Sequence, residues 1–260
     1  MSGGVLVMSD WLKLYRDAGA RRDYGMMHRR EPGQNEIANT LVIRRLTFKQ
    51  SDVVVDVGCG DGWLLANLPP VARRVGVVPS DDEVAALNER YAGGKIEFSN
   101  GSSASIPLPD GIANVIVCNS VLFQLPDMAE LVSSLREFSR IAAPGATVFI
   151  GEMPVNHTPR ASVRAYRLLK RVANNGLAEI MAAIRRHWPS AGSAQEASLT
   201  VPVDSKRPMH LPYLRVRTDQ MCAIAKRAGF KIDAVERWDL TLDGVTYPHA
   251  TDRYNYILKK

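Results

Sequence analysis

A glycine-rich turn near the start of the chain has the composition of a ligand-binding loop. Residues 53–63 read Val-Val-Val-Asp-Val-Gly-Cys-Gly-Asp-Gly-Trp. Gly58, Gly60 and Gly62 let the backbone turn tightly and approach a ligand closely, and a helix after such a turn presents unpaired N–H groups to an anionic or polar ligand. Because β-forming residues precede the turn, the pattern favours a nucleotide-type site over a plain structural turn.

A second set of residues could supply acid–base chemistry. Glu152 follows a predicted strand, at the edge where ligands gather in open α/β sheets, and His157 comes five residues later. We predict that one of them acts as a general base or positions an oxygen acceptor; the alternative is a surface carboxylate and an exposed imidazole. Gln124, His210 and Tyr213 are further candidates for acceptor binding.

Charge points to a third set of residues. The chain has a net charge of +6, and residues 159–188 alone contain seven basic residues against Glu179. Arg160 and Arg164 lie four apart, on one face of a predicted helix. We predict that this segment faces an acidic or phosphorylated acceptor or an anionic membrane surface; the alternative is a solvated outer face. Nucleic acid is not expected, because stacking aromatics are missing between the basic residues.

Composition limits the classes of protein that are possible. The 260 residues are 46% hydrophobic and 23% charged, which suits one core of enzyme size. Three scattered cysteines form neither a disulfide framework nor a Cys-x-x-Cys pair, so we predict no metal site and a reducing cytoplasm. No signal peptide or apolar run of membrane-spanning length is recognisable, so we expect a soluble protein.

Short β-branched runs alternate with amphipathic stretches between residues 51 and 151, which indicates βαβ units and a parallel sheet. A helix is predicted over 127–142 and is expected to end at Pro144-Gly145. The predicted strands are Val53 to Val57, Arg74 to Val78, Lys95 to Phe98, Ala113 to Cys118 and Ala146 to Gly151.

The rest of the chain flanks this core. We divide it into a helical N-terminal flank or lid, residues 1–50, and a main domain, residues 51–260, with an inserted cap at about 154–211. Residues 192–208 show no period and are predicted to be irregular. After the cap we predict a helix over 218–228, stopped by Gly229, and strands over 230–238 and 254–258.

Together these segments resemble the class I S-adenosylmethionine-dependent methyltransferases. The resemblance covers residues 50 to 153, with a weaker match at 228–230. The segments that carry it are Asp56 to Gly62, Ile106 to Gly111, Asn119 to Asp127 and Arg140 to Gly145. It implies a doubly wound, mostly parallel seven-stranded α/β sheet with an antiparallel final hairpin.

The resemblance also implies S-adenosyl-L-methionine as cofactor and a set of residues around it. These residues are Asp56, Gly58, Cys59, Gly60, Gly62, Val78, Pro79, Ser80, Gly101, Ser102, Ser103, Asn119 and Ser120. At one position the chain departs from the family, because Val78 stands where an acid normally accepts hydrogen bonds from the ribose hydroxyls. A valine cannot accept them, so Ser80, Asp81 or Asp82 must reach back, or affinity is low.

The function we predict is methyl transfer to an oxygen of a small molecule or sugar, in glycan or secondary-metabolite biosynthesis. Two alternatives stay open. A methyltransferase-like binding or scaffold protein would explain Val78. A nicotinamide-dependent oxidoreductase would use a similar turn, but its third glycine comes one residue later and it also needs an acid near Val78. The sequence makes no prediction of oligomeric state.

Overall fold

The computed structural model describes residues 33–156, 214–247 and 252–260 in full, and the backbone of 198–202 and 208–212. Seven strands form one sheet in the order β3-β2-β1-β4-β5-β11-β8. β1 to β5 are parallel, and β11 is antiparallel to both of its neighbours, β5 and β8. The strands are β1 (Val53–Val57), β2 (Arg73–Val78), β3 (Ile96–Asn100), β4 (Ala113–Asn119), β5 (Ala142–Pro154), β8 (Lys231–Arg237) and β11 (Arg253–Lys259). Two short strands, β9 (Thr241–Leu242) and β10 (Val245–Thr246), form a separate antiparallel pair.

Helices cover both faces of this sheet. One face packs on α4 (Met128–Ile141) and α5 (Thr218–Arg227), and the other on α1 (Gln34–Arg45), α2 (Trp63–Ala66) and α3 (Asp81–Arg90). Because successive residues of a strand point to opposite faces, Val55 joins the first cluster and Val54 the second. The predicted doubly wound α/β fold is confirmed.

The strand predictions agree with the structure to within about two residues, apart from β5, because runs that are buried on both faces must be apolar throughout. The predicted helix over 127–142 is confirmed as α4, which is capped by Asp127 and Ala142, whereas β5 begins at Ala142 rather than at the predicted Ala146. The helix α3 was missed. Residues 192–208 are not irregular throughout, because β6 (Ser198–Pro202) and β7 (Pro208–Pro212) form an antiparallel pair.

The two ends of the predicted cap lie side by side at the edge of the sheet. Val155 pairs with Val216, and the Leu214 N–H donates to the Phe123 carbonyl, so the chain leaves and re-enters at one place. At the same edge of the sheet, Ala38 of α1 packs on Trp238 and Leu240, which follow β8, and the Trp238 N–H donates to the Arg253 carbonyl at 2.8 Å. None of the helices in the described ranges combines the length and apolar character that a membrane crossing requires.

Candidate active site

The glycine-rich turn at the end of β1 is held against β2 and leaves one side open. The N–H groups of Gly58 and Cys59 both donate to the Val77 carbonyl, at 2.8 and 3.3 Å. Gly58 has φ +75°, and a Cβ there would lie 2.4 Å from Val121 Cγ2. Gly60 also has a positive φ, +56°, but a Cβ there would meet nothing within 4 Å. The turn therefore needs glycine at Gly58 for packing and offers open space at Gly60.

The helix after the turn is shorter than the sequence suggests. α2 has four residues, and the Trp63 N–H donates to Asp61 Oδ1 at 3.1 Å. Its N-terminus is therefore no dedicated anion site, and the turn itself offers the contacts to a ligand.

Asp56, the acid that precedes the turn, is buried, with 4% of its surface exposed. Burial, with a smaller contribution from Asp61, raises its pKa to about 7. The Asp56 carboxylate accepts no hydrogen bond from the residues that the structure describes, although its backbone pairs with β2 and β4. Burial and the nearby acids also raise the pKa of the Cys59 thiol, so Cys59 is an inert packing residue rather than a nucleophile.

The second strand ends in apolar packing. Val78 is 2% exposed and lies in the cluster that contains Leu87 and Phe98. Pro79 is half-buried, and Ser80 caps α3 by accepting a hydrogen bond from the Glu83 N–H. The end of β2 therefore has no acidic side chain of its own.

The turn after β3 is closed on itself. Ser102 pairs with Ser105, and the Gly101 N–H donates to the Val78 carbonyl at 2.9 Å. The Ser103 hydroxyl lies 2.8 Å from that of Ser134 on α4 and is buried. Ser102 is exposed, so it is the hydroxyl of this turn that a ligand could reach.

At the end of β4, Asn119 carries a buried oxygen that lacks a partner. Its Oδ1 has no hydrogen bond among the residues that the structure describes. The atom fills the space above Gly151, where a Cβ would lie 2.0 Å from it. Leaving such an acceptor unpaired costs about 1–3 kcal/mol, so Asn119 is suited to accept a hydrogen bond from a ligand.

Ser120, Glu152 and Arg253 form a buried network at the ends of β4, β5 and β11. The Ser120 hydroxyl donates to Glu152 Oε1, and Arg253 Nη1 donates to Oε2 at 3.0 Å. The Arg253 guanidinium lies 4.7 Å from the centre of the Phe123 ring. Ser120 and Glu152 both have positive φ, +61° and +60°, a strained conformation that is common at functional sites.

Other predicted acceptor residues are placed only in part. Gln124 donates from Nε2 to the Ser120 carbonyl at 2.7 Å, so it lies beside this network. His210 belongs to β7, of which only the backbone is described. His157, Arg160, Arg164 and Tyr213 lie outside the described residues.

Comparison with known proteins identifies the family of this domain and its cofactor. Residues 55–150 match the model of the methyltransferase domain family. Residues 55–150 belong to the class I S-adenosylmethionine-dependent methyltransferases. The match confirms the predicted cofactor, S-adenosyl-L-methionine, and decides against the nicotinamide alternative.

Two curated relatives share this methyltransferase domain. The "Probable S-adenosylmethionine-dependent methyltransferase" of Mycolicibacterium smegmatis is 35% identical over 102 residues, 39% of this chain and 37% of the relative. The trans-aconitate 2-methyltransferase of Variovorax paradoxus is 32% identical over 135 residues, 51% of this chain and 48% of the relative. The matches therefore span less than half of each relative's length.

Solved structures agree on the fold of the methyltransferase domain. A complex of the Haloferax volcanii Trm112 methyltransferase activator with a methyltransferase matches 94% of each chain, with a TM-score of 0.59 and 15% identity. A methyltransferase from Methanosarcina mazei matches 84% of this chain and 96% of its own, with a TM-score of 0.54 and 19% identity.

The glycine turn and Asn119 of the methyltransferase domain fit S-adenosylmethionine. The open space at Gly60 lies at the end of β1, and the unpaired Asn119 Oδ1 lies at the end of the adjacent strand, β4. The first admits a ligand close to the backbone, and the second accepts a hydrogen bond from it. The ribose position at Val78 does not fit, since its side chain has no acceptor.

Glu83 is a buried acid at the end of β2 that was not predicted as a site residue. This acid lies in the first turn of α3 and is 4% exposed. Its signal was the Ser80-x-x-Glu83 spacing, which marks a helix start.

Proposed function

We propose that the protein transfers a methyl group from S-adenosylmethionine to an oxygen of a small molecule or sugar. The observation that carries the proposal is the open glycine turn at Gly60, beside the unpaired Asn119 Oδ1, within a methyltransferase domain. The cofactor supplies an electrophilic methyl group on a sulfonium. The chain's own residues hold and align the two reactants and exclude water, which can provide much of the rate enhancement in such a displacement.

The Ser120–Glu152–Arg253 network supports a polar acceptor. It lies at the same edge of the sheet as the glycine turn and is next to Gln124. Both carboxylate oxygens of Glu152 are engaged, by Ser120 and Arg253. We therefore assign Glu152 a positioning role and keep His157 as the candidate base. The Variovorax relative is named for trans-aconitate, which supports an acidic small molecule as acceptor.

The first experiment tests cofactor binding with S-adenosylhomocysteine and calorimetry. Wild-type protein is expected to bind it, whereas Gly60→Ala is expected to weaken binding at least about tenfold because a Cβ intrudes on the open space. Gly244→Ala is the matched control, since Gly244 also has positive φ, +82°, with nothing within 4 Å of a Cβ. Both variants carry similar backbone strain, but only Gly60 lies in the glycine-rich turn after β1.

Absence of binding by the wild type would contradict methyl transfer. It would favour the second candidate, a methyltransferase-like binding protein, which the apolar end of β2 at Val78 supports. If the wild type binds, transfer of labelled methyl groups to hydroxylated, phosphorylated and carboxylic small molecules tests the acceptor. Base-labile products indicate methyl esters and stable ones ethers; label only on nitrogen or carbon would contradict an oxygen acceptor.

The compartment is part of the same proposal. Cys59 and Cys118 are buried free thiols, and Cys222 is a half-buried one, which is consistent with a reducing cytoplasm. Fractionation of cells that express the chain tests this, and recovery with membranes would support the anionic surface predicted for residues 159–188 instead.

A further inference from the structure

The end of β2 is the position where the methyltransferase site lacks an acceptor for the ribose. Val78 is 2% exposed and packs with Leu87 and Phe98. An apolar side chain accepts no hydrogen bond. The two hydroxyls of a vicinal diol placed there would give up their hydrogen bonds to water and gain none from the protein. If the protein binds its cofactor, another acceptor must lie near this strand end.

Three polar residues follow the Val78-Pro79 pair, and each is unsuited to accept the ribose hydrogen bonds. The Ser80 hydroxyl accepts from the Glu83 N–H and donates to Glu83 Oε2, at 3.3 and 3.2 Å. Asp81 is exposed and accepts from Asn100 Nδ2 at 3.0 Å, while Asp82 is exposed as well. The reach-back that the sequence suggested for these three residues therefore has no support in their positions.

Glu83 has the properties that these residues lack. It lies in the first turn of α3, only five residues after Val78, and is 4% exposed. Its neighbour on the helix, Val84, packs against the cluster that contains Cys59 of the glycine turn and Val78 at the end of β2, so this helix turn lies beside both. Ser80 donates to Oε2, and Oε1 makes no hydrogen bond within the described part of the chain.

Burial raises the pKa of Glu83 to about 7 against the opposing hydrogen bond from Ser80, with a smaller contribution from the Asp82 charge. A buried carboxyl with one oxygen unpaired is costly unless a donor completes it. The two hydroxyls of a ribose are such donors.

We propose that Glu83 accepts the ribose hydroxyl hydrogen bonds of the cofactor, a task moved from the end of β2 to the first turn of α3. This inference rests on the proposed function. It makes Glu83 a cofactor-binding and specificity-determining residue for a ligand with a vicinal diol. Ser80 then has a positioning role, because its hydroxyl holds one oxygen of the carboxylate.

Calorimetry with S-adenosylhomocysteine and its 2′,3′-dideoxy analogue tests this proposal. Glu83→Gln keeps the shape of the side chain but replaces one acceptor oxygen by an amide, so it should weaken S-adenosylhomocysteine binding at least about tenfold. Binding of the dideoxy analogue should change little. Glu89→Gln, an exposed position on the same helix, is the matched control and should bind both ligands as the wild type does.

The outcomes separate the two proposals. Wild-type binding that Glu83→Gln leaves unchanged would overturn the role of Glu83 and leave methyl transfer standing, whereas no wild-type binding would overturn the proposed function. Equal weakening for both ligands would also overturn the inference, because the loss would then not involve the diol. If Glu83→Gln fails to fold, Glu83→Asp, which keeps the charge, should still lose part of the preference for the ribose form, and an unaltered preference would contradict the proposal.

Discussion

Two parts of one sheet edge handle buried carboxyls in opposite ways. At the ends of β1 and β2, Asp56 and Glu83 are buried with few hydrogen bonds, and burial raises the pKa of each to about 7. At the ends of β4 and β5, Glu152 is equally buried, but Ser120 and Arg253 engage both of its oxygens. A buried acid can thus be completed by the protein or left to be completed by a ligand.

The difference indicates how the site divides its work. In the Ser120–Glu152–Arg253 network both carboxylate oxygens accept hydrogen bonds from the protein itself, so the network can fix the shape of the acceptor side without a ligand. The carboxyls of Asp56 and Glu83, beside the glycine turn, still have oxygens without a hydrogen-bond donor. A ligand that donates to them would offset the desolvation cost of burying these groups, which folding does not offset. Breaking each side should therefore have different consequences for stability and for binding.

The largest expected effect is on stability, from Glu152→Gln. The change removes the charge of Glu152 from its buried pair with Arg253, and breaking a buried ion pair typically costs about 3–5 kcal/mol. Urea unfolding measures the loss. Glu97→Gln is the matched control, because the Arg73–Glu97 pair has similar geometry, 2.7 Å, but Glu97 is 55% exposed; exposed pairs contribute about 0–1 kcal/mol.

A second substitution shows whether the buried pair is the cause. Adding Arg253→Met to Glu152→Gln removes the buried guanidinium as well, so the double variant should recover part of the stability. If Glu152→Gln lowers the free energy of unfolding no more than Glu97→Gln does, the Ser120–Glu152–Arg253 network does not stabilise the fold as a buried ion pair would.

The next effect is on the pH dependence of stability. The pKa of Asp56 is about 7 in the folded chain, against its usual 3.8, so between these values the folded state keeps a proton that the unfolded chain has lost. The stability that this proton provides is present below about pH 4 and is lost as the pH rises to about 7. Asp56→Asn should remove that loss, on the order of 2–4 kcal/mol.

Urea unfolding of Asp56→Asn and wild type at several values between pH 4 and 8 measures this difference. Glu83 has the same sign and a similar window, from the usual 4.5 to a pKa of about 7, so the variant should retain some slope. The exposed Asp82→Asn is the control. A stability difference from wild type that does not grow with pH would contradict the raised pKa of the buried Asp56 carboxyl.

The sheet was predictable because its strands are buried on both faces. Runs such as Val53–Val57 have no polar alternation to misplace them, and the glycines at Gly58, Gly60 and Gly62 mark where the first strand must end. The helix α3 was less visible, since its ten residues include four acids and only a narrow apolar stripe with Val84 and Leu87. Its position comes from tertiary packing rather than from its own pattern.

The site was predictable where the backbone defines it and not where side chains meet across the fold. The turn at Gly60 and the placement of Asn119 followed from strand ends. The pairing of Glu152 with Arg253 joins residues 101 positions apart, and no local pattern predicts it. Glu83 was hidden because its spacing from Ser80 already had a sufficient explanation as a helix start.

The smallest effect, and the sharpest for the comparison, is that of Val78→Asp on cofactor binding. If Glu83 already holds the ribose, an acid at Val78 in the wild type should change S-adenosylhomocysteine affinity by less than about threefold, since the diol has its partner. In the Glu83→Gln background, the same Val78→Asp change should recover most of the lost affinity. Calorimetry on the four proteins gives the coupling between the two positions.

Additivity would contradict this account. If Val78→Asp strengthened binding equally in both backgrounds, Glu83 and Val78 would act on different parts of the ligand, and the acid in α3 would be structural. Thermal melting of the same four proteins without ligand is the control, because Val78→Asp buries a carboxyl near Glu83 and should lower stability by about 1–3 kcal/mol. A lower melting temperature together with restored affinity in the Glu83→Gln background is expected only if the carboxyl accepts hydrogen bonds from the ligand.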